Sequence, residues 1–338
     1  MNIKQSTLAA AVTAALAMGM AGQAAASVYA RSYLDVDNLH VIVDPFAGAT
    51  VRSFTFDNNI SAGLNNGPAA ADIDSCSGAP APGVNTCSST TPRLNSTAVN
   101  AAGSTVLRTD NTFLFYGPGV NQYSNADAVI WTAGLTGDVV EVAPGVFLPT
   151  THTEQIAEAE LQGGTAAASQ SLIDSITGFT FAFSTTAAGS MSITWTAIQD
   201  MLAAINDPAG SSENAQATMD VSVRLAKDQS NEYVLWTPDG PGGIDCIDAS
   251  ASMTCSETAD PFALFTQVGT STDPDSDALV NTGNFGVRIG LLGAGNYTLT
   301  LTQKVSTSLS RVPEPGMLAL MGIGLLGLGM SARRRKLV

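Results

Sequence analysis

Four cysteines, three alternating aspartates and two histidines carry the clearest chemistry in this chain. Cys76 and Cys87 enclose ten residues, and Cys246 and Cys255 enclose eight, both pairs within polar, Gly- and Pro-containing stretches. Neither spacing suits zinc ligation, and neither histidine is close by in sequence. Four cysteines allow three pairings. The local pairing asks least of the fold, and each local bridge contributes about 2–3 kcal/mol in an oxidising compartment. Asp273, Asp275 and Asp277 place three carboxylates at alternate positions of a loop, which suits a hard cation such as calcium. The stretch fails as an EF-hand, because its sixth and twelfth positions are Ala278 and Asn284 where Gly and Glu are required. Asp72, Asp74, Asp245 and Asp248 repeat the theme more weakly beside the cysteines. No cofactor other than calcium is suggested.

Catalytic spacing is absent. The chain contains no Gly-x-Ser-x-Gly and no His-Glu-x-x-His. His40 sits inside the strand-like run Leu39–Val43, and His152 stands among threonines beside Glu154, where it reads as solvated. Trp131, Trp195 and Trp236 offer either a sugar-stacking surface or, more commonly, core packing. Gly322, Gly324 and Gly327 have dinucleotide-motif spacing, but no strand precedes them and no amphipathic helix or acid follows in the required places.

These residues must be carried by a body bounded by two removable ends. Residues 1–26 have Lys4, an apolar run from Leu8 to Met20 and then Ala24-Ala25-Ala26, the plan of a secretory signal peptide. A second cut is conceivable after Ala30. Taking off both ends removes five bases and one acid, leaving 9 bases against 28 acids, a net charge near −19. Such a surface argues against nucleic acid and against anionic lipid as partners.

At the other end, Val312-Pro313-Glu314-Pro315 precedes an uncharged stretch through Ala332, and Arg333-Arg334-Arg335-Lys336 follow. Seventeen helical residues span about 26 Å, enough to cross a bilayer core. The basic cluster would hold that terminus in the cytoplasm. The prolines would break any incoming helix and leave an extended peptide. A plain, uncut membrane anchor is the simpler alternative. The three-part pattern resembles the PEP-CTERM sorting signal. That resemblance implies transient insertion in the inner membrane of a Gram-negative bacterium and processing by exosortase, a membrane-embedded cysteine protease. Signal peptidase would act at the first end. The final location would be the cell surface or the extracellular matrix, in an exopolysaccharide context.

Residues 27–311 read as one β-rich exported domain, mainly all-β and antiparallel, sandwich- or jelly-roll-like. Strand-like runs occur at Leu39–Val43, Val51–Phe56, Thr112–Tyr116, Phe179–Phe183, Met191–Trp195, Met219–Leu225 and Tyr233–Trp236. The clearest is Tyr297–Thr302, with Tyr297, Leu299 and Leu301 on one face. Ile198, Met201, Leu202 and Ile205 have helical spacing and predict a helix over Ala197–Ile205. Thr151 and Glu154 suggest a capping box for a helix through Leu161, although Glu158, Glu160 and Gln162 also alternate as in a strand. Residues 60–105 read as a long polar loop stapled by cysteines. Three function classes follow in order: a structural or adhesive protein of biofilm or floc, a carbohydrate- or calcium-binding lectin-like module, and a secreted hydrolase. With no catalytic motif, an enzyme is the least expected.

Overall fold

A computed structural model describes residues 27–44, 49–64, 70–78, 97–100, 113–118, 122–131, 139–143, 146–149, 151–162, 169–206, 212–242, 246–249, 252–271, 275–291 and 293–312. The first strands are β1 (Ser27–Asp44), β2 (Thr50–Leu64), β3 (Ala70–Gly78), β4 (Thr97–Asn100) and β5 (Tyr123–Trp131). Next come β6 (Val139–Ala143), β7 (Val146–Pro149), β8 (Thr151–Gln162), β9 (Ser169–Thr185), β10 (Gly189–Asn206) and β11 (Ser212–Lys227). The last are β12 (Tyr233–Trp236), β13 (Cys246–Asp248), β14 (Met253–Ala259), β15 (Thr266–Thr270), β16 (Asp275–Leu291) and β17 (Gly295–Val312).

These strands form two packed antiparallel sheets, a β-sandwich. The first sheet runs β14-β16-β10-β1-β8-β5-β4, and the second runs β13-β12-β11-β17-β9-β2-β3. Short β15 and β12 share one edge of β11 in tandem, and β6 pairs with β7. β1, β10 and β17 have 18 residues each, about 60 Å at the usual strand rise. The first strand lies at the centre of one sheet and the last at the centre of the other.

Alternation explains the layers. On β10, Met191, Ile193, Trp195, Ala197, Gln199, Met201, Ala203 and Ile205 are buried between the sheets, while their neighbours face outward. Trp195 stacks on Phe285 at 5.6 Å and meets Trp236 at 5.1 Å. Phe179, Phe181 and Phe183 continue this core towards Tyr297. A polar layer crosses it. The Gln303 side-chain oxygen on β17 accepts from Thr153 at 2.7 Å, Gln155 at 3.0 Å and Thr177 at 3.1 Å, and Gln155 also bonds Thr177.

Both expected helices are strands. Ala197–Ile205 lies within β10, and its apparent helical period has a simple cause. Three of its core positions are Ala197, Gln199 and Ala203, which add little apolar signal, whereas Ile198 and Leu202 point outward. Thr151–Leu161 is β8, a central strand between β1 and β5, so the Glu158–Glu160 alternation was its true period. The stretch read as a long loop contains the end of β2, all of β3 and β4. Conversely, Phe113–Tyr116 forms no strand and instead lies as a strap over the first sheet. The other strand-like runs fall within β1, β2, β9, β10, β11, β12 and β17.

Candidate functional site

Two places carry functional residues: the end of β17 and the outer face of β1 and β8. β17 pairs with β11 as far as Val312 opposite Ser212, and Arg311 lies opposite Glu213. Arg311 Nε reaches Glu213 Oε1 at 2.8 Å, with the glutamate side chain 2% and the arginine 13% exposed. Pro313 follows at once. The last strand is therefore clamped up to the start of the tail, with no spacer. Pro313, Glu314, Pro315 and the basic group Arg333, Arg334, Arg335 and Lys336 lie outside the described residues, as does the expected signal peptide over 1–26. No helix among the described residues is long and apolar enough to cross a membrane.

The cysteine pair at Cys246 and Cys255 forms a disulfide. Its place explains its use, because Cys246 is on β13 at an edge of one sheet and Cys255 on β14 at an edge of the other. The bridge joins the sheets side to side. The expected Cys76–Cys87 bridge lies outside the described side chains. Of the aspartate triplet, Asp273 is outside the described residues. Asp275 accepts from Thr270 at 2.9 Å and from the Ser276 amide, and Asp277 accepts from the Gly269 amide at 3.2 Å. Both thus tie β16 to β15 or to its own start.

Outward-facing residues of β1, β8 and β5 build the second place. Arg31 grips Asp200 with two nitrogens at 2.9–3.1 Å and stacks over Phe115 of the strap. Fully buried Glu158 holds the strap: its Oε1 accepts from Tyr29 Oη at 2.7 Å and the Gly117 amide at 2.9 Å, and its Oε2 from the Tyr116 amide at 3.0 Å. Burial and the Glu158 charge raise the Tyr29 and Tyr123 hydroxyls far above the usual phenol range, so both stay protonated.

Further along the same face, β1 bulges between Asp37 and His40, with Asn38 in the left-handed region at φ 55°. The bulge sets Asp37 and Asn38 against His152 of β8. His152 Nε2 lies 2.9 Å from Asp35 Oδ1, and its Nδ1 lies 3.7 Å from Asp37 Oδ1. Glu154 stands directly opposite Asp35 and accepts from Tyr33 Oη at 2.8 Å. Burial alone would lower the His152 pKa, but the Asp35 hydrogen bond and the charges of Asp35, Asp37 and Glu154 outweigh it and raise it. Burial, aided by Asp35 and Asp37, raises Glu154 against the opposing Tyr33 bond and His152 charge. In sequence His152 stands apart from Asp35; in the fold Asp35 lies opposite Glu154, and His152, two positions along β8, reaches it diagonally. His40 is separate, opposite Thr194, and burial lowers its pKa.

Comparison with curated proteins found no match, and neither did comparison with solved structures. Residues 311–336 match the PEP-CTERM protein-sorting motif, which begins at the clamped Arg311. The motif implies an exported, cell-surface-sorted protein processed by exosortase. The chain is thus one that carries a PEP-CTERM sorting motif, fused without a linker to a β-sandwich body.

Proposed function

We propose that this chain is a structural or adhesive component of the extracellular matrix, sorted to the surface by exosortase and working in a polysaccharide-rich setting. The carrying observation is the sorting motif placed directly after the last strand of the sandwich. The body supports the reading. Its outer faces display short hydroxyl side chains in rows, such as Thr180, Thr300 and Thr302 on one sheet and Ser190, Ser192, Thr194 and Thr196 on the other. Such faces hydrate well and meet hydroxyl-rich polymers without a deep pocket. The tryptophans whose side chains are described, Trp195 and Trp236, are buried, so neither offers a sugar-stacking platform. That favours the structural role over a lectin-like one.

The test is made in the producing cell. A chain stopped after Val312 should be exported, leave the surface fraction for the medium and weaken matrix cohesion. Unchanged surface retention and unchanged cohesion would overturn the proposal.

A further inference from the structure

We propose that Asp35, His152 and Glu154 form a binding site for one divalent transition-metal ion, zinc foremost. Their ligand atoms all lie within 4.8 Å of one another, and no other group of three among the described residues does so. Neighbouring ligands about 2.1 Å from a tetrahedral or octahedral ion are about 3.0–3.4 Å apart, so a small inward adjustment from the present spacing seats the ion. The charge balance points the same way. Asp35 and Glu154 are directly opposite across antiparallel strands, an arrangement that like charges disfavour. Asp37 adds a third carboxylate on the same face, 3.7 Å from the imidazole. Asp35, Asp37 and Glu154 all act on His152, and Asp35 and Asp37 act on Glu154. A bound dication offsets that accumulation.

The surroundings resemble those of a prepared site. Tyr33 donates to Glu154 Oε1 and fixes the carboxylate from behind, the usual work of an outer partner. The left-handed Asn38 and its bulge turn Asp37 towards the imidazole. The Asp35 side chain is 13% exposed and that of His152 35%, so one side of the group opens to solvent. Three protein ligands with an open side leave a position for water. The imidazole nitrogen selects against calcium, which takes oxygen ligands.

The chain has only two histidines, so the test can be read cleanly. The full chain in detergent is titrated with zinc by calorimetry, and with copper(II) as a spectroscopic probe by electron paramagnetic resonance. Wild type and His40→Gln should each take up one equivalent and show nitrogen coupling from one imidazole. His152→Gln should lose the coupling and the zinc heat. Asp35→Asn, which removes a like-charge neighbour and so preserves the fold, should weaken zinc at least about tenfold. Melting temperatures in chelator establish that each variant is folded. Zinc uptake that is absent from wild type, unchanged in His152→Gln and Asp35→Asn, or abolished by His40→Gln would overturn the assignment.

Discussion

The clamp at the end of β17 allows a quantitative prediction. Arg311→Gln leaves Glu213, whose side chain is 2% exposed, without its partner on Oε1. Breaking a buried pair from one side costs about 3–5 kcal/mol, and the partial exposure of Arg311 favours the low end, about 3 kcal/mol. Glu213→Gln is milder, about 1 kcal/mol, because it leaves no buried charge and the arginine head can turn towards water. The damage is local, since only the final residues of the ladder depend on the pair. Hydrogen exchange followed by mass spectrometry reads it directly. At about 1.4 kcal/mol per factor of ten, the amides of Leu309–Arg311 should lose protection roughly a hundredfold in Arg311→Gln. The centre of β17, near Leu301, should not change. The double variant should recover most of the loss. The reasoning is refuted if exchange rises less than about threefold, or if Glu213→Gln opens the end as far as Arg311→Gln does.

Other outcomes can be checked separately. Replacing Cys246 and Cys255 by serine should cost about 2–3 kcal/mol in urea unfolding. Glu158→Gln should loosen the strap, so that limited proteolysis nicks near Phe115 while the sandwich stays intact; a strap as resistant as wild type would contradict its role. Asp228 accepts from Arg52 at 2.6 Å and Thr298 at 2.8 Å, and these contacts hold its carboxyl below the ordinary value of 3.8. Its contribution to stability is therefore present above pH 3.8 and lost as pH falls through the lower folded value, and Asp228→Asn should flatten the acid limb of an unfolding profile. The mature N-terminus should be Ser27, not Arg31. A cut after Ala30 would remove buried Val28, Tyr29 and Ala30 from the strand between β8 and β10, and mass spectrometry of the exported protein distinguishes the two.

Much of the sandwich was legible from alternation alone. Tyr297, Leu299 and Leu301 are core residues as their spacing required. The failures share a cause. Where strands bury Ala or Gln, hydropathy no longer marks the inner face, as Gln199 on β10 and Gln155 on β8 illustrate. Phe113–Tyr116 failed in the opposite sense: Phe115 packs on a neighbouring sheet face without a ladder, while Leu114 stays exposed. The sorting motif was fully legible because its signal is linear. The group around His152 was not, because Asp35 lies 117 positions away and only the register of β1 against β8 joins them.

The placing of β17 has a consequence for secretion. It is the last of the described strands to leave a translocating pore, yet it fills the gap between β9 and β11. Until it arrives, the second sheet is two unjoined halves, each with a bare row of amide and carbonyl groups inviting a foreign strand. Completion of the body and emergence of the sorting motif are therefore nearly simultaneous. A chain stalled in transit would remain sticky and unfinished, and a holdase would be needed during that interval.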